Sequence, residues 1–318
     1  MSSEKKKKHA KDHERDDTER YRSPSPEDAA AADASASTST LQRPRYAEFK
    51  VLLRPDKLQR IFQAYDLWQH MRGAVEQAGV RYEPIVGEPS IRQRDIMFYD
   101  TPDYRLYENH FILRRRTHFR DGWSSAHDEL TFKFRHAEEE KVRVMDMRPG
   151  LLGNARIKFK REILPLPDRV GGVRHIYTQN CVVSMPPLEE SFGLEVAAEL
   201  FPALHAVACD DHAKIGLVHR VTVNETLTEF GTLDFGKGLA GVASLALWRD
   251  TKSSTAIVSE LGFQLKFEQL DDAVEERLAR VEEFFKLLQH LIAPWLFLGT
   301  TKTNLVYQRK GHEVQNRE

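Results

Sequence analysis

Charge and apolarity alternate residue by residue along several segments of this 318-residue chain. Glu48 and Lys50 alternate with Ala47, Phe49 and Val51, and Arg114 and Arg116 with Phe111 and Leu113. Thr131, Lys133 and Arg135 alternate with Leu130, Phe132 and Phe134, and Arg156, Lys158 and Lys160 with Ala155, Ile157 and Phe159. Later, Arg220 stands against Leu217 and Val221, and Glu260, Gln264, Lys266 and Glu268 against Leu261, Phe263, Leu265 and Phe267. A period of two gives each strand one apolar and one charged face. Guanidinium forks and ammonium point charges both recognise phosphoryl oxygens. Glu48 and Glu260 on these faces can serve as luminal ion-pair partners, and Asp234 as a turn cap beside Gly236.

If these faces share one interior, cations far outnumber acids there. The cations are Lys50, Arg114, Arg116, Lys133, Arg135, Arg156, Lys158, Lys160, Lys214, Arg220 and Lys266; the acids are Glu48, Asp234, Glu260 and Glu268. Buried charge without a partner is too costly for a dry interior, so the space must hold water and accept a polyanion.

The elements needed to position these residues follow from the pattern. Strands are predicted near 45–53, 94–100, 110–119, 128–136, 154–164, 175–184, 214–226, 229–236 and 256–268. One helix is predicted from Pro55 toward Gly79, with Leu58, Ile61, Phe62, Tyr65 and Trp68 as a core stripe. A second is predicted from a cap at Asp271 or Asp272, with Val274, Leu278, Val281, Phe284, Phe285 and Leu288 inward, and a short one around Leu194–His205. Many strands with few helices predict an α+β fold, mainly antiparallel. A closed barrel of about eight strands with flanking helices removes free sheet edges.

Composition narrows the classes. Residues 1–43 and 309–318 read as unstructured tails around one domain over 44–308. The formal net charge of −1 confines any basic site to one locality. No segment is apolar enough to span a bilayer, the start is too polar for a secretory signal, and Cys181 and Cys209 read as free thiols, all predicting a cytoplasmic protein. The aromatic residues fall on the opposite strand face from the cations, which argues against single-stranded nucleic acid as ligand.

With those residues assembled, the chain resembles the CYTH, or triphosphate tunnel metalloenzyme, superfamily over about residues 45–307. Tyr46-Ala47-Glu48-Phe49-Lys50 resembles its opening Glu-x-Glu-x-Lys strand, and Phe98-Tyr99-Asp100-Thr101 its Tyr-Asp-Thr segment. Leu113-Arg114-Arg115-Arg116 is similar to its Leu-Arg-x-Arg strand, Thr131-Phe132-Lys133 to Thr-x-Lys, and Thr301-Lys302 to a late Ser-Lys. The resemblance implies a tunnel that binds triphosphate groups with Mg²⁺ or Mn²⁺. It implies metal-dependent phosphohydrolase or phosphotransferase chemistry on a triphosphate- or polyphosphate-bearing molecule, with Glu48 and Lys50 catalytic. Glu48, Glu260 and Asp234 would hold metal. Arg114, Arg116, Lys133, Arg135, Lys158, Lys160, Arg220, Lys266 and Lys302 would hold phosphates. Three departures favour an alternative, a non-catalytic polyphosphate or triphosphate binder with a degenerate metal site. Tyr46 replaces the first Glu, Gln264 and Lys266 stand where acids are expected, and Arg156-x-Lys158-x-Lys160 replaces Arg-x-Glu-x-Glu.

Overall fold

The computed structural model describes residues 43–85, 90–150, 155–208 and 212–309. The tails expected over 1–43 and 309–318 therefore lie outside the described residues except for Arg43 and Arg309, and Cys209 lies outside them too. The strands are β1 (Tyr46–Leu53), β2 (Arg81–Pro84), β3 (Ile91–Asp100), β4 (Phe111–Arg120), β5 (Trp123–Ser124), β6 (Asp128–His136), β7 (Ala155–Pro165), β8 (Val173–Met185), β9 (Ser191–Gly193), β10 (Lys214–Asp234), β11 (Ala240–Asp250) and β12 (Ala256–Lys266). The helices are α1 (Ala64–Ala78), α2 (Arg105–Glu108), α3 (Glu139–Arg143), α4 (Leu194–Leu200), α5 (Asp272–Leu291) and α6 (Lys302–Tyr307).

The sheet runs β11-β12-β1-β7-β8-β6-β4-β3-β10, and β10 pairs back onto β11. This closes a 9-stranded barrel, against the eight expected. The barrel strand missing from the sequence reading is β11, whose opening run Ala240-Gly241-Val242-Ala243-Ser244 carries a single β-branched residue among small ones. All barrel pairings are antiparallel except β1 with β7, which runs parallel, so the barrel is mixed. Segments 214–226 and 229–236 are one long strand to Asp234 rather than two.

The odd-numbered β1 residues Ala47, Phe49, Val51 and Leu53 face outward and are buried with Leu67, Met71 and Ala74 of α1 and Leu278, Val281 and Phe285 of α5. On the opposite wall, Phe111, Leu113, Leu130 and Phe132 pack on Leu194, Ala197 and Ala198 of α4. Asp271 caps α5 as expected, its carboxylate accepting from the Val274 amide at 2.8 Å. The α1 expectation needs correction. The α-helix starts at Ala64, after a single 3₁₀ turn, and Phe62 and Tyr65 are each 66% exposed rather than core. The buried face is Ala64, Leu67, Met71, Ala74 and Val75, a stripe rotated away from the aromatic one.

Inside the barrel the two ends differ. Leu52, Ile96, Phe98, Ile112, Val223, Trp248 and Val258 share the inward register of the charged residues and pack into one buried cluster with Val306 and Tyr307 of α6. This apolar plug closes one end. The charged layer lies above it, toward the end that carries Tyr46, Asp128 and Lys266.

Candidate functional site

The charged layer is organised around a few carboxylates, each shared by several cations. Glu162 is buried, its side chain 2% exposed, and receives Lys50 at 3.1 Å, Lys133 at 2.9 Å and Arg135 at 2.9 Å. Glu48, opposite Glu162 in the parallel register, pairs with Lys50 at 3.3 Å and Lys160 at 3.5 Å, while Lys160 donates to Gln264 Oε1 at 2.7 Å. Across the lumen, Glu225 (2% exposed) meets Arg94, accepts from Trp248 Nε1 at 2.5 Å and lies 3.6 Å from Lys302. Lys302 reaches Glu260 at 2.7 Å and lies over the Trp248 ring at 4.7 Å. Glu129 holds Arg116 at 2.5 Å and Arg156 at 3.7 Å.

Among these, Arg114 is alone. Its inward register is shared with Arg116 and Ile112, yet among the described residues no carboxylate or carbonyl engages its guanidinium, and its Nε is buried without a hydrogen-bond partner. Burial, then Arg116 and Arg94, push its pKa down to about 9. It stays charged at neutral pH, so the cost of its position is a standing demand for an anion. Solvent reaches the layer: the side chains of Lys50, Lys133, Lys160 and Lys302 keep 13–18% exposure, Glu48 and Glu260 keep 24% and 17%, and Glu162 and Glu225 keep 2%.

The electrostatics follow. Burial opposes the charge on Glu48, but Lys160 and Lys50 overcome it and hold its pKa near 2. Glu129, also desolvated, is held near 2 by Arg116. Glu162 lies well below the ordinary range because Lys133, Lys50 and Arg135 outweigh desolvation, and Glu225 is lowered by Arg94 and Lys302 against the same opposition. Desolvation lowers Lys133 to about 8, outweighing the support of Glu162 with Arg135 and Lys50 opposing its charge. Lys50 shares Glu162 but also faces Glu48 and Glu260, and these carry it above the ordinary lysine value despite burial.

The structure brings together Glu48, Lys50, Arg114, Arg116, Lys133, Arg135, Lys160, Glu260 and Lys302 of the expected set, with Arg156. Lys158 stands nearer the rim, its ammonium 5.2 Å from the centre of the Tyr46 ring, and Lys266 is exposed there, its ammonium 6.0 Å from the same ring. Arg220 does not join them. The β10 register breaks between Leu217 and Thr222, where His219 and Arg220 take positive φ, and Arg220 is exposed outside. Lys214 is likewise exposed, paired across to Gly193. Asp234 pairs with Arg81 and accepts from the Gly236 amide at 2.7 Å, the turn-capping arrangement at the β10–β11 hairpin. Sequence reasoning missed Arg94, Glu129, Glu162 and Glu225. Glu129 and Glu162 continue the period of Thr131 and Lys160, so that signal was present.

The closed barrel with flanking helices is the architecture expected from the sequence. No family model matches the chain, and no curated protein matches it by sequence. Among solved structures it is similar to the PH1819 protein of Pyrococcus horikoshii OT3, at 11% identity over 83% of this chain and 99% of that one, with TM-score 0.34. It is also similar to Hippeastrum HpAC1, described as having a dominant triphosphatase activity, at 13% identity over 82% and 94% of the two chains, TM-score 0.34. A Bacillus halodurans protein gives 12% identity over 85% and 100%, TM-score 0.36.

A divalent ion held here would need several oxygen ligands free of other cations. The donor set does not fit. Among the described residues no three of His, Cys, Asp and Glu gather as a metal site, and Glu48, Glu162, Glu225 and Glu260 each already hold an ammonium group.

Proposed function

We propose that the barrel lumen binds the end of a phosphate chain, as inorganic tripolyphosphate, a polyphosphate terminus or the triphosphate of a larger molecule. The observation that carries this is Arg114, a half-buried guanidinium with no ion pair among the described residues, its charge opposed by Arg116 and Arg94 and supported only at longer range by Glu129 and Glu225. Three guanidinium groups facing one water-reached space match the several anionic oxygens of adjacent phosphoryl groups. The apolar plug at the α6 end makes the space a cup, so a chain enters from the Tyr46–Lys266 end and terminates inside.

Titration calorimetry with tripolyphosphate tests this. Binding is expected for the parent and at least tenfold weaker binding for Arg114→Gln, with orthophosphate a poor competitor. A parent protein that releases no heat and gains no thermal stability with tripolyphosphate would remove the reading. Metal-dependent turnover, with Glu48 and Lys50 catalytic and Mg²⁺ or Mn²⁺ as cofactor, is the competing expectation. Release of orthophosphate from tripolyphosphate in the presence of Mn²⁺, lost in Glu48→Ala, would establish it instead.

A further inference from the structure

Glu48 and Glu260 are the carboxylates best placed by sequence to ligate metal, and each is bridged to a second carboxylate by one ammonium nitrogen. Lys50 Nζ stands 3.3 Å from Glu48 and 3.1 Å from Glu162. Lys302 Nζ stands 2.7 Å from Glu260 and 3.6 Å from Glu225. A single cationic centre between carboxylates from different strands is the arrangement a divalent ion makes when it joins protein oxygens. Here the cations are covalently part of the chain.

Their seating is built. Gly262 faces Lys50 across β1 and β12, and a Cβ there would come within 2.7 Å of the Phe49 carbonyl and 3.2 Å of Lys50 Cγ, so only glycine leaves room for the lysine stem. Lys302 opens α6, whose first turn is capped by Thr301 Oγ1 accepting from the Asn304 amide at 3.2 Å. The helix is fixed at its other end by Tyr307, which donates to Asp100 at 3.0 Å and stacks on Tyr107 at 4.3 Å.

We propose that Lys50 and Lys302 take the place of divalent ions in this barrel, so that the lumen binds a phosphate chain without metal and divalent cations weaken that binding. The proposal rests on the phosphate-chain reading above. A metal entering either seat would have to expel an ammonium group from between two acids, leaving that group in the same cationic space. In solution Mg²⁺ instead pairs with the free phosphate chain and neutralises the charge that the lumen recognises.

The test uses the full chain and tripolyphosphate, titrated in EDTA and again in excess Mg²⁺, with Mn²⁺ binding followed separately by electron paramagnetic resonance. Binding is expected in EDTA, several-fold weaker binding with Mg²⁺, and no protein-bound Mn²⁺ at equimolar concentrations. Lys302→Gln should lose affinity in EDTA and acquire a weak Mn²⁺ signal, because Glu260 then loses its ammonium partner while Glu225 still holds Arg94. Binding that appears only with Mg²⁺, or stoichiometric Mn²⁺ in the parent, overturns the proposal while leaving the phosphate-chain reading intact. Absence of binding under both conditions removes that reading along with it. A folded Lys302→Gln that keeps full affinity in EDTA overturns the role of Lys302.

Discussion

Lys50 and Lys133 touch the same carboxylate yet differ in their response to it. Lys50 has Glu48 and Glu260 as further support, whereas Lys133 has Arg135 and Lys50 as like-charged neighbours, and burial brings its pKa to about 8. Two effects of opposite sign follow. A lysine depressed in the folded state favours folding when neutral, so its contribution to stability rises as pH climbs from about 8 toward the ordinary value of 10.5. Its contribution to anion binding falls through the same window. Tripolyphosphate affinity is therefore expected to drop as pH rises past about 8, and Lys133→Arg, which stays charged, should flatten that drop. Calorimetry across that range checks it, and an unchanged slope in the variant would show that Lys133 does not face the ligand. The even-numbered charges of β1 and β4 were legible because their strands are regular. Glu225 was not: the bulge at His219 and Arg220 resets the inward parity of β10, which a count by twos from Arg220 cannot follow.

Helix α6 is only six residues long, and its stability comes from what holds it. Asp100 is 3% exposed and accepts from the amides of Thr101, Leu106 and Tyr107 and from the Tyr307 hydroxyl. Burial raises its carboxyl to about 6 against the pull of those donors. The residue thus ties the end of β3 to α2 and α6, and through α6 to Lys302. Asp100→Ala should destabilise the protein by about 1–3 kcal/mol for each buried donor left unsatisfied, read by urea denaturation. It should also speed hydrogen exchange in α6 and weaken tripolyphosphate binding, although Asp100 lies outside the charged layer. Unaltered exchange in α6 would show that the helix is held by packing alone. Asp100 ends the strand predicted near 94–100, and its hydrogen bonds to the amides of Thr101, Leu106 and Tyr107 are local ones that shape the turn after it. Its reach to Tyr307 spans 207 residues and leaves no local pattern to read. The same holds for β11, which is placed by pairing with β10 and β12 rather than by its own composition.

At the scale of the molecule, a chain of formal net charge −1 gathers its cations inside the barrel and relies on a few buried acids to keep it closed. Glu48 and Glu129 are held near 2, and Glu162 and Glu225 lie below the ordinary value of 4.5 as well. Acids depressed in the folded state stabilise it above the unfolded pKa, and that stabilisation is lost as pH falls through the folded one. The barrel is thus expected to lose stability progressively from about pH 4.5 toward 2. As the carboxylates protonate, Lys50, Lys133 and Arg135 lose the charge they share, and their mutual repulsion drives the opening. A polyanion in the cup supplies the missing charge and also shifts the folded state by mass action. Circular dichroism followed down the pH scale should therefore show the acid transition displaced to lower pH by tripolyphosphate, and displaced less in Arg114→Gln. If tripolyphosphate bound at neutral pH yet left the acid transition where it was, the ligand would have to sit away from these carboxylates, on the rim with Lys158 and Lys266 rather than inside.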